Sequence, residues 1–166
     1  MKTMVLTAVL ACAACCGEAQ KVQTVDSVDL KRYLGHWYEI AAYPKWFERG
    51  MTHVTAQYTL DGDKIRVTNS GIRDGKRKDA HAKAWPVKGS GNAKLKVQFF
   101  WPFKSDYWII DLAPDYSWAV VSDPKRSSLW ILSRNKVMPE QTYSDICRRL
   151  AANGFDLEEL KRTPQD

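Results

Sequence analysis

No apolar run in the 166-residue chain reaches the roughly 20 residues that a membrane-crossing helix requires, which excludes a polytopic helical membrane protein. Cysteine is scarce outside the N-terminus: Cys12, Cys15 and Cys16 crowd the first residues, and only Cys147 stands elsewhere. If those three are removed or modified, no internal disulfide is available. No second cluster follows them to complete a zinc site. Histidine is limited to His36, His53 and His81, none with a Ser or Cys partner at a recognisable spacing. HExxH, GxSxG and a glycine-rich phosphate loop are all missing, so the chain lacks the usual marks of an enzyme. The net charge of +6 carries no long basic helix, zinc-finger spacing or RNA-binding signature. Its densest cluster, Lys76-Arg77-Lys78, sits beside Asp74 and Asp79 and reads as a solvated loop, so no nucleic-acid partner is expected. Nor is the chain short of apolar residues: 45% are hydrophobic, enough to offset chain entropy and fold as about one domain.

Aromatics are plentiful, with seven Trp and seven Tyr. They imply a ring-lined cavity, an interface, or a core built from large side chains. The first residues read as an export signal over 1–19, with Lys2 as the positive end and Met4 to Ala14 as the apolar stretch. Small residues at Gly17 and Ala19 suit ordinary cleavage after Ala19. The run Cys12-Ala13-Ala14-Cys15 instead resembles a bacterial lipobox, with Cys15 as the candidate lipid attachment residue and Cys12 or Cys16 as weaker alternatives. Residues 20–28 are polar and read as a tether, and 29–166 as one folded domain.

Asp29 caps a short helical turn, and from there period-two alternation dominates. Val54, Ala56, Tyr58 and Leu60 alternate with polar residues, as do Ile65, Val67 and Asn69, and Leu95, Val97, Phe99 and Trp101. Turn signals such as Asp61-Gly62, Asp74-Gly75, Gly89-Ser90-Gly91 and Asp123-Pro124 divide them. Eight strands result, at about 36–44, 52–60, 63–73, 78–87, 93–101, 106–112, 117–122 and 128–134. Consecutive strands with no helix between them are antiparallel neighbours. Eight of them close into an up-and-down barrel with room for one small ligand. Pro139 then starts a helix, in which Tyr143, Ile146, Cys147 and Leu150 form one apolar stripe that packs on the outside of the barrel, up to Asn153-Gly154. The fold expected is all-β, an eight-stranded antiparallel up-and-down β-barrel with a C-terminal α-helix. Phe155 to Leu160 adds a short strand or lies along the barrel.

Three motifs in order carry a family resemblance: Gly35-His36-Trp37 opening the first strand, Asp115-Tyr116 between strands six and seven, and Arg134 closing strand eight. With the barrel pattern and trailing helix, they resemble the lipocalin family over residues 28 to the end. The stretches 33–40, 47–50, 99–103 and 129–134 are most similar to the branch of bacterial outer-membrane lipocalins and apolipoprotein D. The disulfide cysteines of animal relatives are absent, as in the bacterial members. The resemblance implies that Trp37 plugs the closed end of the barrel with the Arg134 guanidinium across its ring, a structural pair rather than a ligand site. It also implies that the first, third, fifth and seventh connections share the open rim, and that the position of Asn69 reaches the ligand.

With Arg134 inward, alternation places Trp130 and Leu132 on the interior wall, with Ala56, Tyr58, Phe99 and Trp101. Ala80, Ala82 and Ala84 are small and leave room. The interior positions Ala56, Tyr58, Asn69, Phe99, Trp101, Trp130 and Leu132, together with Lys104 at the rim, are the candidate ligand-binding residues. Lys45, Arg49, Lys125 and Arg126 bring further cations to that rim, and Trp46, Phe47 and Phe103 interleave with them. Neither a metal nor a cofactor is expected. The chain reads as an exported, extracytoplasmic lipid-binding protein, monomer or weak homodimer, holding a fatty acid, lysophospholipid or similar amphiphile. It would sit at the bacterial outer membrane through the N-terminal anchor, or in the periplasm. The alternative is an envelope interaction module whose cavity is incidental.

Overall fold

A computed structural model describes residues 21–45 and 49–166. The export signal, Cys12, Cys15, Cys16, Trp46 and Phe47 lie outside the described residues. In chain order the elements are α1 (Leu30–Tyr33), β1 (Gly35–Ala42), β2 (Thr52–Asp61), β3 (Lys64–Arg73), β4 (Lys76–Pro86), β5 (Lys94–Gln98), β6 (Ser105–Leu112), β7 (Trp118–Ser122), β8 (Leu129–Ser133), α2 (Glu140–Ala152) and β9 (Lys161–Arg162). Strands β1 to β8 are antiparallel neighbours in sequence order, and β1 closes the barrel by pairing with both β8 and β2.

Alternation sorts the side chains into two cores. The interior cluster takes Ala56 and Tyr58 from β2, Ile65 and Val67 from β3, Ala82 and Ala84 from β4, Leu95 and Val97 from β5, and Leu132 from β8. The opposite phase of the wall, with Val120, Leu129 and Ile131, packs under α2, whose Ile146 and Leu150 are buried there. Tyr143 and Cys147 complete the helix's apolar stripe against the same cluster. A helix on the outer face removes those β7–β8 side chains from water, the usual solution for a two-sided apolar strand.

Three details depart from the sequence reading. Strand β5 ends at Gln98 rather than running on to Trp101. Pro102 has no N–H to donate to a ladder, and a turn closes over this stretch with the Phe103 N–H on the Phe100 carbonyl at 2.9 Å. Second, residues 21–28 are not a free tether. Val22 and Val28 are buried, and the Val25 and Val28 amides donate to the carbonyls of Ile109 and Gly91 at 3.0 and 2.8 Å, so the segment lies across the closed end.

Third, the C-terminus enters the barrel wall. β1 and β2 pair only between Gly35–Tyr38 and Thr55–Tyr58. Above that point β9 pairs with β1, and the following residues bridge the divergence. The Thr163 amide donates to Ile40 O at 3.0 Å, His53 N donates to Pro164 O at 2.7 Å, and Gln165 Nε2 reaches both Glu39 O and Val54 O at 2.8 Å. The tail thus satisfies backbone groups that the splayed strands cannot satisfy for each other.

Candidate functional site

The closed end is built first by short-range capping. Asp29 Oδ1 accepts the Lys31 amide at 2.9 Å and starts α1, which places Tyr33 and Trp37 beneath the barrel. The Trp37 ring is fully buried, and its indole N–H donates to the Tyr33 carbonyl at 2.8 Å. The Arg134 guanidinium lies 3.7 Å from that ring's centroid. It donates to the carbonyls of His36 and Arg32 at 2.8 and 2.7 Å, and to those of Leu34, Tyr33 and Tyr116 at 3.0, 3.2 and 3.4 Å. Tyr116 contributes more than its carbonyl. Its hydroxyl accepts the Asp29 amide at 2.9 Å, and its ring carries the Arg32 guanidinium at 4.0 Å. Gly35, at φ +98°, lets the chain turn in this crowd, where an added Cβ would meet Arg134 Nη1 at 3.4 Å. All three sequence motifs therefore meet at one plug.

Above the plug sits a feature that alternation could not reveal. Tyr107, from β6, joins Tyr33 and Tyr58 through hydroxyl contacts of 2.6 and 3.0 Å. Two contacts use two of the three hydroxyl protons, so a third stays available to an acceptor. Burial is the main reason that all three resist ionisation: Tyr58 is pushed up to about 12, and Tyr33 and Tyr107 are raised well above the ordinary phenol value. The neutral form is thus favoured in the folded state, while unfolded tyrosine ionises near 10. Stability is full below about pH 10 and falls as pH rises toward the folded value. Tyr58 alone accounts for about 2–3 kcal/mol across that interval. Alkaline titration is expected to show these three phenols ionising only with unfolding, with the urea midpoint dropping above about pH 10. A midpoint flat through that range would remove the hydroxyl cluster from the stability account.

Of the expected interior residues, the structure brings Ala56, Tyr58 and Leu132 into one buried cluster, with Trp130 half-buried against it. Trp130 pairs with Ala42 and Val121 in the wall. Asn69 lies in phase with Ile65 and Val67, between Ala56 and Ala80 on its neighbouring strands. Its Oδ1 is buried and has no hydrogen-bond partner. Ala82 and Ala84 face the same interior, whereas Ala80, nearer the rim, is exposed.

Three expected wall or rim residues lie elsewhere. Because β5 stops at Gln98, Phe99 is 39% exposed and Trp101 is 86% exposed in the connection to β6, rather than lining the interior. Lys104 places its Nζ 4.7 Å from the centroid of Trp85. Trp85 follows the inward Ala84, so it points outward and draws Lys104 away from the mouth. Lys45 does reach the rim: its Nζ donates to Ser127 O and joins the first connection to the seventh.

Residues 28–165 match the lipocalin-like domain family. The chain belongs to the lipocalin family. Temperature-induced lipocalin-1 of Arabidopsis thaliana is 37% identical over 158 residues, covering 89% of this chain and 85% of that protein. The outer membrane lipoprotein Blc of Vibrio cholerae is 38% identical over 150 residues, covering 88% of each. Apolipoprotein D of Macaca fascicularis is 32% identical over 161 residues, covering 90% and 84%. Among solved structures, insecticyanin from Manduca sexta superposes with a TM-score of 0.71 at 22% identity, over 89% of this chain and 86% of that one, which establishes the shared barrel. Lipocalins are binding and transport proteins for small hydrophobic molecules, and this lipocalin has a plugged barrel end and a trailing helix packed on the wall.

Proposed function

We propose that this lipocalin holds a fatty acid, lysophospholipid or similar amphiphile in its barrel and carries or stores it at the cell envelope, without chemical conversion. One observation carries the reading. Small residues, Ala56, Ala82 and Ala84, share the interior cluster with the half-buried Trp130, and a buried amide oxygen on the same interior phase, Asn69 Oδ1, lacks a donor. A buried acceptor without a partner costs about 1–3 kcal/mol, which a ligand hydroxyl, amine or protonated acid would recover. Its Blc relatives supply further support for the envelope, being outer membrane lipoproteins by name.

Titration of the purified protein with a fluorescent fatty acid is expected to give saturable, stoichiometric binding, with the lipid recovered intact on extraction. Consumption of the lipid, or no saturation, overturns the carrier reading. Asn69→Leu is expected to stabilise the ligand-free protein by about 1 kcal/mol. The same change should weaken a ligand with a polar head tenfold or more, while sparing a plain alkane of equal length. Equal losses for both ligands would mean that Asn69 contributes shape alone.

For the anchor we propose lipidation at Cys15. Intact mass of the envelope-extracted protein is expected to show an acylated Cys15 as the first residue. A protein starting at Gln20 ends that idea.

A further inference from the structure

We propose that the β5–β6 connection and the outer face of β3 to β5 dock on an anionic lipid surface. The connection exposes a run of rings: Phe100 is 78% exposed, Trp101 86% and Phe103 76%, beside the half-covered Phe99. Soluble monomers rarely present so concentrated an apolar patch to water unless something covers it. The connection sits at the open rim, because β5 and β6 run from and back to the closed end. Beside it, the outer face carries two shallow grooves of about 560 and 400 Å³ that share Lys83 and Gln98. The cations Lys64, Arg66 and Lys83 line them, and Lys104 lies over Trp85 on the same face. The carboxylates on this face are Asp63, Asp61, paired with Arg66 at 2.9 Å, and Asp79, paired with Arg77 at 2.9 Å, so the face stays positive.

Aromatic rings at loop tips, interleaved with Lys and Arg, match the two layers of a bilayer surface. Rings favour the headgroup level, where their apolar bodies leave water, and cations meet lipid phosphates. A protein partner would need a shaped complementary surface. A lipid surface needs only apolar depth and negative charge, and these are the two properties this face offers. Docking here would lay the β3–β5 flank of the barrel, with the β5–β6 connection at its rim, along the membrane. The inference goes beyond the carrier reading and does not depend on what fills the barrel.

The test places an environment-sensitive dye on Phe100→Cys, in a full-length chain whose Cys12, Cys15, Cys16 and Cys147 are replaced by Ser so that no acyl chain contributes. Adding vesicles of phosphatidylcholine with roughly a third phosphatidylglycerol is expected to raise the dye emission several-fold and shift it to the blue. Phosphatidylcholine alone should give a weaker response. The same dye on Arg148→Cys, exposed on α2 over the opposite β7–β8 wall, should not respond to either. Lys64→Glu with Lys83→Glu should cut the apparent affinity for the anionic vesicles about tenfold or more, at roughly 1 kcal/mol per basic residue. In the unlabelled chain, Phe100→Ser with Phe103→Ser should leave the circular dichroism and the fatty-acid titration unchanged and lower vesicle flotation at least tenfold. Silence of the dye at position 100, or an equal response at position 148, overturns the proposal. So does a dye response that grows with protein concentration in the absence of vesicles, which assigns the patch to a second copy of the chain. Failure of fatty-acid binding with docking intact sinks only the carrier reading.

Discussion

Replacing Arg134 by Ala is expected to destabilise the barrel by about 3–4 kcal/mol, the scale of several charge-assisted hydrogen bonds plus a lost cation–π stack. For a domain of this size that lowers the melting temperature by roughly 10 °C. The guanidinium closes the barrel by gathering carbonyls from two separate stretches of the chain. Arg32, Tyr33, Leu34 and His36 come from α1 and the start of β1, and Tyr116 from the turn before β7. Without it, those carbonyls lose their donor together, and the buried Trp37 face loses its cover at 3.7 Å. Arg134→Lys should recover little, because a single ammonium cannot present a planar fork to so many acceptors while stacking on a ring. Affinity for a lipid in the folded fraction should stay nearly unchanged, because the plug lies below the interior positions. A large affinity loss with no change in melting temperature would contradict the structural role.

Trp130→Ala is expected to weaken lipid binding by about 1–3 kcal/mol, or roughly tenfold to more than a hundredfold. The ring is the large apolar surface of β8 that stays only half-buried among the interior residues, so an alkyl chain can still cover it. Its neighbours Ala42 and Val121 are too small to fill the space left by its removal. Truncation should therefore cost contact area with the ligand more than it costs the fold. With seven Trp in the chain, a change in emission on lipid addition is assigned to this ring only by difference from the variant. An unchanged affinity would take Trp130 out of the site.

The interior positions and the plug were differently legible. Ala56, Tyr58, Trp130 and Leu132 follow from alternation, since successive side chains on a strand point to opposite faces wherever the strand ends up. Phe99 and Trp101 share that alternation and still fall outside the interior, because Pro102 and a turn end the ladder first. Lys104 belongs to the connection expected, yet its direction was set by the ring of Trp85, nineteen positions away in the chain. Tyr107 was invisible as a partner for Tyr33 and Tyr58, with sequence separations of 74 and 49. An aromatic in a strand looks the same to local patterning whether its hydroxyl meets water or another hydroxyl.

By itself the sequence determined the eight strands and their order, the helix with its buried stripe, and the family's plug residues, because all of these rest on local periodicity, turn chemistry and short motifs. Only the tertiary structure decided where the ends of the chain go and which polar atoms are left over. Residues 21–28 carry no periodicity, yet they cross the closed end because two amides find carbonyls on Ile109 and Gly91. Residues 163–165 enter the wall because β1 and β2 diverge beyond Tyr38 and leave backbone groups that must be paired. Asn69 Oδ1 is without a donor for a related reason: Ala56 and Ala80, its cross-strand neighbours, have no side-chain hydrogen-bond donor to offer it. Hydrogen-bond satisfaction of this kind is a property of the assembled barrel, since the neighbours that decide it lie on other strands or at the other end of the chain.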